Sequence, residues 1–255
     1  MLLRRVMDHV RTQNWFAVWL DFVIVVVGVF LGIQIGNWNE ERVFNDQEEM
    51  LLLDLRTEIE ESASRAGGYW RSYLGRVSEA GARSIAFINS GEPCADDCWE
   101  RIIDFFHASQ FISLELDRTV LDEMQRLGLP RDRNVETVVS AYYLQGRGIA
   151  QNLNERPDYR KLVRELIPHD MMEELWRGCH ELDGGIEVLT RSCTPTGDDA
   201  TLRAVVDEIR TNVRVKQTLN HWTSMTNTIM PYLDDLAEVG DAAIAAIDAA
   251  LGRTG

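Results

Sequence analysis

Basic residues are in short supply in this chain. Its 255 residues hold 26 Lys and Arg against 41 Asp and Glu, a formal net charge of −15. Binding along a nucleic-acid backbone needs a basic stripe, so this balance excludes nucleic acid as a partner. Runs that alternate apolar and polar residues with a period of two are missing, as is an Asn-Gly turn between such runs, so no strands are expected. The sequence has no Gly-x-Ser-x-Gly, no His-Glu-x2-His, no phosphate-binding loop and no dinucleotide glycine pattern. Its five histidines, His9, His107, His169, His180 and His221, are scattered. Acid pairs such as Glu60-Glu61 are adjacent, and adjacent side chains point apart on a helix. These absences give no catalytic residue, no metal site and no cofactor, and the chain is read as not an enzyme.

Cysteines number four: Cys94, Cys98, Cys179 and Cys193. An even count outside a Cys-x2-Cys redox pattern reads as disulfides in an oxidising compartment. Proximity in sequence suggests Cys94–Cys98 and Cys179–Cys193, one of three possible pairings. A metal held by the Cys94/Cys98 pair with His107 is the competing reading, but the spacing is not that of a zinc ribbon.

What the chain does have is a long apolar run, from Asn14 to Trp38. About 20 apolar residues suffice to cross a bilayer as a helix. Residues 15–38 are therefore expected to form a transmembrane helix after a cytoplasmic tail of residues 1–14. Arg4, Arg5 and Arg11 precede the run, and Glu40, Glu41, Asp46, Glu48 and Glu49 follow it. Basic flanks stay inside, which predicts a cytoplasmic N-terminus and an exported domain over 39–255. The run is too long for a cleaved signal and lacks an Ala-x-Ala site, so it reads as a retained signal-anchor. In a Gram-negative cell this places the chain in the inner membrane with a periplasmic domain. The first 38 residues hold 3 basic and 2 acidic side chains, which leaves 23 against 39 for the exported part.

Trp15, Trp19 and Trp38 lie at the ends of the span, where indole rings anchor at the interface. Gln34, Asn37 and Asn39 carry the outer end of the helix into water. Advancing about 100° per residue from Asp21 puts Gly28, Gly32 and Gly36 within about 60° of it, and Gln34 about 140° away. Glycine at every fourth position lets helix backbones approach closely in lipid. The stripe predicts a packing seam, with self-association or docking on another membrane protein. Asp21 admits three roles: an acid reaching the inner headgroups, a hydrogen-bonding group toward another subunit, or a proton carrier. The third rests on the layout of a short inner tail, one span with an early acid and an outer domain, which resembles the single-span subunits of proton-driven stator complexes.

The segment from Gly28 to Arg42, GVFLGIQIGNWNEER, resembles a bacterial family of single-span membrane proteins known only as a domain of unknown function. A glycine, an apolar run, Gln-Ile and Asn-Trp-Asn-Glu at the outer boundary carry the likeness. A second stretch, Thr119 to Leu129 followed by Val135 to Tyr143, is similar too. This chain departs from the pattern at Gly36, where asparagine is usual, and in its four cysteines. The resemblance implies a single span and an all-helical exported domain, and no activity.

Helical periodicity runs through the remainder. No Pro or Gly falls between Asn37 and Ala66, so the span is expected to continue as one helix past Glu60 until Gly67-Gly68 breaks it. Further helices are expected to the end at Asn89-Ser90-Gly91, over Trp99–Phe106, over Leu116–Leu127 before Gly128 and Pro130, and over Val135–Leu153 capped by Asn134. Shorter helices over Tyr159–Leu166 and Met171–Leu182 lead to an irregular segment from Gly184 to Gly197. Asp198 or Asp199 caps the next helix, and Pro231 is expected to kink the last. The aromatics Tyr69, Trp70, Tyr73, Tyr142, Tyr143 and Tyr159 read as core. Arg156, Arg160, Lys161 and Arg164 form a basic run that either pairs with acids on its own helix or docks an acidic partner. The predicted fold class is all-α: one N-terminal transmembrane helix continuing into an exported helical bundle.

Overall fold

A computed structural model describes residues 15–183 and 186–253. The first helix, α1, runs without interruption from Trp15 to Arg65. The expected tail of residues 1–14 lies outside the described residues. By its internal contacts the chain forms two units, Met1–Leu51 and Leu52–Gly255.

In the first unit α1 has no packed face over the apolar run. Every residue from 24 to 43 is exposed, with Phe22 at 65 %, Phe30 at 59 % and Ile35 at 64 %. An apolar helix of a soluble protein hides in the core; none of the most apolar 18-residue window of this one is buried. It is long and apolar enough to cross a membrane.

The second unit is a helical bundle. Residues 52–65 of α1 pass into a π-helical turn, Ala66–Trp70, and then directly into α2, Arg71–Ser90. Gly67 and Gly68 therefore do not break the helix, as the sequence suggests; they sit in a π turn, which absorbs one extra residue per turn without unwinding the helix. A left-handed Gly91 ends α2. Next come α3, Cys98–Ala108; α4, Thr119–Arg126; and α5, Arg133–Leu153. The cap of α5 is Asp132, whose carboxylate accepts from the Asn134 and Val135 amides, not Asn134 itself. The chain continues through α6, Asp158–Leu166, and α7, His169–Gly178.

Two short antiparallel strands then pair, β1 (His180–Asp183) with β2 (Ile186–Leu189), in the register His180 to Leu189. This corrects the expectation of no strands. The two residues between them in the sequence are Gly184-Gly185, itself a recognised hairpin signal that the search for Asn-Gly overlooks. Asp198 caps α8, Asp199–Thr211, and Asn212 caps α9, Val213–Ala250. The α9 helix runs on through Pro231.

The long α9 is the spine of the bundle. It packs against α2, α5 and the π turn, and α3 packs on α2 and α8. On α9, Gly240 faces α1. A side chain carbon added at Gly240 would lie 2.6 Å from the Ala63 methyl and 3.2 Å from the Tyr142 ring, so only glycine fits there. The fully buried Trp222, Tyr159, Phe105, Phe106, Ile102 and Leu219 mark the core.

Candidate functional sites: an exposed apolar face and a buried arginine pair

The apolar stretch of α1 keeps its candidate residues on the outside. Asp21, Gly28, Gly32, Gly36, Gln34, Asn37 and Asn39 are all exposed, as are Trp19 at 61 % and Trp38 at 66 %. The side chain of Trp15 lies outside the described residues. A methyl group added at Gly28, Gly32 or Gly36 would meet nothing within 4 Å. Helical geometry places these glycines and Asp21 on one stripe, and that stripe is open.

The cysteines pair as their spacing suggests, Cys94 with Cys98 and Cys179 with Cys193, with Cα separations of 5.1 and 5.2 Å. His107 does not join them in a metal site. Its Nε2 lies 2.8 Å from the Cys179 carbonyl oxygen, and the ring is buried. Burial holds its pKa down to about 4, so the imidazole is neutral near pH 7 and donates to that carbonyl. Among the described residues no group of three His, Cys, Asp or Glu side chains is arranged to hold a metal.

The aromatics predicted for the core are there, and their hydroxyls find partners at its edge. The Tyr142 hydroxyl lies 2.7 Å from Ser62 Oγ, Tyr143 donates to Glu58 at 2.5 Å, and Tyr159 donates to the Phe105 carbonyl at 3.1 Å. Tyr69 accepts from the Glu187 amide at 3.3 Å. Tyr73 is buried as well, and its hydroxyl lies beside the Glu187 carboxylate.

The basic run divides. Lys161 stays in solvent, 4.0 Å from Glu165. Arg160 and Arg164 are half-buried and pair with neither of the acids the sequence offers. Arg160 donates to the Ser109 carbonyl at 3.0 Å and to Gln110 Oε1 at 3.1 Å, and Arg164 Nε donates to Ser109 Oγ at 3.0 Å. Their guanidinium groups lie against aromatic rings: Arg164 is 4.8 Å from the Trp176 ring centre and 5.1 Å from that of Phe106, and Arg160 is 5.1 Å from that of Phe111. Elsewhere in the bundle buried charge is matched. Asp104, 1 % exposed, takes Arg83 at 2.8 Å and Arg191 at 3.3 Å. Ser109, Gln110 and Trp176 were not singled out from sequence. A signal did exist: Arg156, Arg160 and Arg164 follow one another at i,i+4, a like-charged face that repels itself and needs a partner from elsewhere.

Compared with family models, curated proteins and solved structures, the chain matches none.

Proposed function

We propose that the chain is a membrane-anchored helical interaction protein of the bacterial cell envelope, which self-associates through the glycine face of its span. In this reading residues 1–14 are cytoplasmic, residues 15–38 cross the inner membrane, and residues 39–255 stand in the periplasm. It acts by binding and not by catalysis. The observation that carries the reading is the wholly exposed apolar run on α1, with Gly28, Gly32 and Gly36 bare of neighbours. In water such a face would drive aggregation; in lipid it is solvated, and the glycine stripe is where a second backbone fits. The flanking charges support the orientation, and two disulfides support an oxidising compartment.

Replacing Gly28 and Gly32 together with Leu tests the seam. The detergent-solubilised wild-type chain is expected to run as an oligomer in light scattering and the double variant as a monomer. An unchanged mass removes the seam. A second reading, an accessory or sensor subunit that meets a multi-span partner through Asp21, is favoured by the unmatched arginines of the bundle. It requires Asp21→Asn to lose a co-purifying partner while keeping self-association.

A further inference from the structure

A groove follows one face of α9. Thr218, His221, Met225, Thr228 and Tyr232 succeed one another there at steps of three or four, and all five line it. At one end α9 meets α5 across an apolar slot of about 370 Å³, walled by Ile149, Met225, Ile229 and Tyr232. At the other end a depression of about 550 Å³ gathers Arg156, Arg160, Lys161 and Arg164. A neck of about 140 Å³ joins the two. It shares Arg156, Pro157 and Asp158 with the basic end and Met225 with the slot. At a rise of about 1.5 Å per residue, the part between Thr218 and Tyr232 is about 21 Å long.

Gly148 of α5 lies on the wall of the slot. Glycine inside a helix is destabilising relative to alanine, so a helical glycine calls for a packing reason. Its neighbour Gly146 has one, because a carbon added there would run into the Leu116 side chain. At Gly148 an added carbon would meet nothing within 4 Å. The bundle itself therefore gives no reason for glycine at this position, whereas close approach of a second backbone does. Leu144, one turn earlier on the same face of α5, is left 68 % exposed.

The two ends ask for different chemistry. Four cations line the basic end against two acids, Asp158 and Glu165, in a chain of net charge −15. An acidic group is attracted there, and a large apolar side chain fits the slot. The neck between them is polar, with Glu155, Asp158, Thr218 and His221 on its wall. An acyl chain threaded through it would set methylene groups against two carboxylates, at a cost in desolvation. A peptide backbone carries its own donors and acceptors through such a neck. Gln145 and Asn152, which border the slot, have amide side chains that both donate and accept, as a main chain does.

We propose that this groove, formed by α5, α9 and the start of α6, binds an extended peptide segment of a partner protein. The segment carries large apolar side chains at one end, small residues in the middle and Asp or Glu at the other end. This gives the binding reading above a partner chemistry and rests on it only in that the chain acts by binding. All of the lining residues belong to the second unit, so the groove does not depend on the glycine seam of the span.

The test uses the full chain in a neutral maltoside detergent and reads fluorescence anisotropy of labelled peptides. The probe is Leu-Phe-Gly-Ser-Gly-Glu-Asp-Glu. One control replaces its acids with Lys and the other replaces Leu-Phe with Ser-Ser. Saturable binding of the probe is expected, weakened about tenfold or more in either control. Gly148→Phe fills the slot from a position with open space around it, and should abolish binding with the melting temperature unchanged or higher. Arg156→Glu, at an exposed residue of the basic end, should weaken the probe about tenfold and strengthen the Lys control. The Gly28→Leu, Gly32→Leu chain should bind the probe like wild type, so loss of the seam and loss of the groove are told apart. Absence of saturable probe binding overturns the proposal, as does equal binding of the Ser-Ser control, which reduces the site to a charged patch. Wild-type binding by Gly148→Phe overturns it, and so does a fall in that variant's melting temperature, which would show the position to be packed. Saturable binding of laurate with none of the probe assigns the groove to an acyl chain and overturns the peptide.

Discussion

Ile33 and Ile59 belong to one uninterrupted helix, yet Ile33 is 56 % exposed and Ile59 is fully buried. The same holds for phenylalanine: Phe30 is 59 % exposed, and Phe105 in the bundle not at all. Helix propensity does not separate the two regions, since both form helix. What differs is the arrangement of the apolar residues. Around Ile59 they recur on one stripe, with Leu52, Leu55, Ala63 and Ala66 buried and charges between them. Around Ile33 they cover the whole circumference. A helix that is apolar on one stripe needs a protein neighbour; one that is apolar all round needs an apolar solvent. Disulfides and caps belong to the first kind of environment, bare glycines and exposed tryptophans to the second.

The contrast can be broken by making matching cuts on both sides. The largest effect is expected at Trp222, 1 % exposed and donating to the Ala108 carbonyl at 2.9 Å. Trp222→Ala should lower the unfolding free energy of the bundle by about 3–5 kcal/mol. The equivalent truncation Phe30→Ala should move it by less than about 0.5 kcal/mol. Urea titration followed by tryptophan fluorescence checks both, and a comparable loss from Phe30→Ala would mean that the span is packed in protein.

Next in size is the pH dependence set by His107. Its folded pKa of about 4 lies below the unfolded value near 6.5, so the unfolded chain binds the proton more readily. The stability this group contributes is complete above about pH 6.5 and is lost as the pH falls from there to about 4, by roughly 3 kcal/mol. Asp97, Asp117 and Asp198, whose pKa values are lowered, give up their contributions only below the usual carboxylate range. Urea midpoints between pH 7 and pH 4 should therefore slope downward in the wild type and flatten in His107→Gln.

The disulfides sharpen the comparison further. Cys179–Cys193 closes 14 residues and Cys94–Cys98 closes 4. On the loop-entropy account, replacing both members of the first pair with Ser should cost about 3 kcal/mol and of the second about 2 kcal/mol. The order of the two midpoints checks it. Neither change should release the chain from membranes.

Much of this was legible from residue order alone. The long apolar helix, the continuation of α1 past Glu60, the cysteine pairs and the glycine stops after α2 and α4 follow from local rules that act within a few residues. The misses have long-range or unusual local causes. Gly67-Gly68 reads as a break because glycine weakens a helix, but contact with α9, where Gly67 faces Ala237, keeps the turn helical. The β hairpin rests on a Gly-Gly step instead of an Asn-Gly one. The start of α9 rests on Asn212, whose side chain caps the helix through the amides of Arg214 and Val215. The inward turn of Arg160 and Arg164 depends on Ser109, Gln110 and Trp176, about 50 residues before them and 12 after; the i,i+4 spacing of the arginines calls for a partner but does not say which. The glycine stripe on α1 was readable from its spacing.

The claim on which the rest depends is that lipid surrounds the helix from Phe16 to Trp38. Alkaline carbonate extraction of membranes from cells making the full chain tests it directly. The account predicts that the protein stays in the membrane pellet at its full mass. Release into the carbonate supernatant, or a mature chain that begins downstream of Trp38, would contradict it.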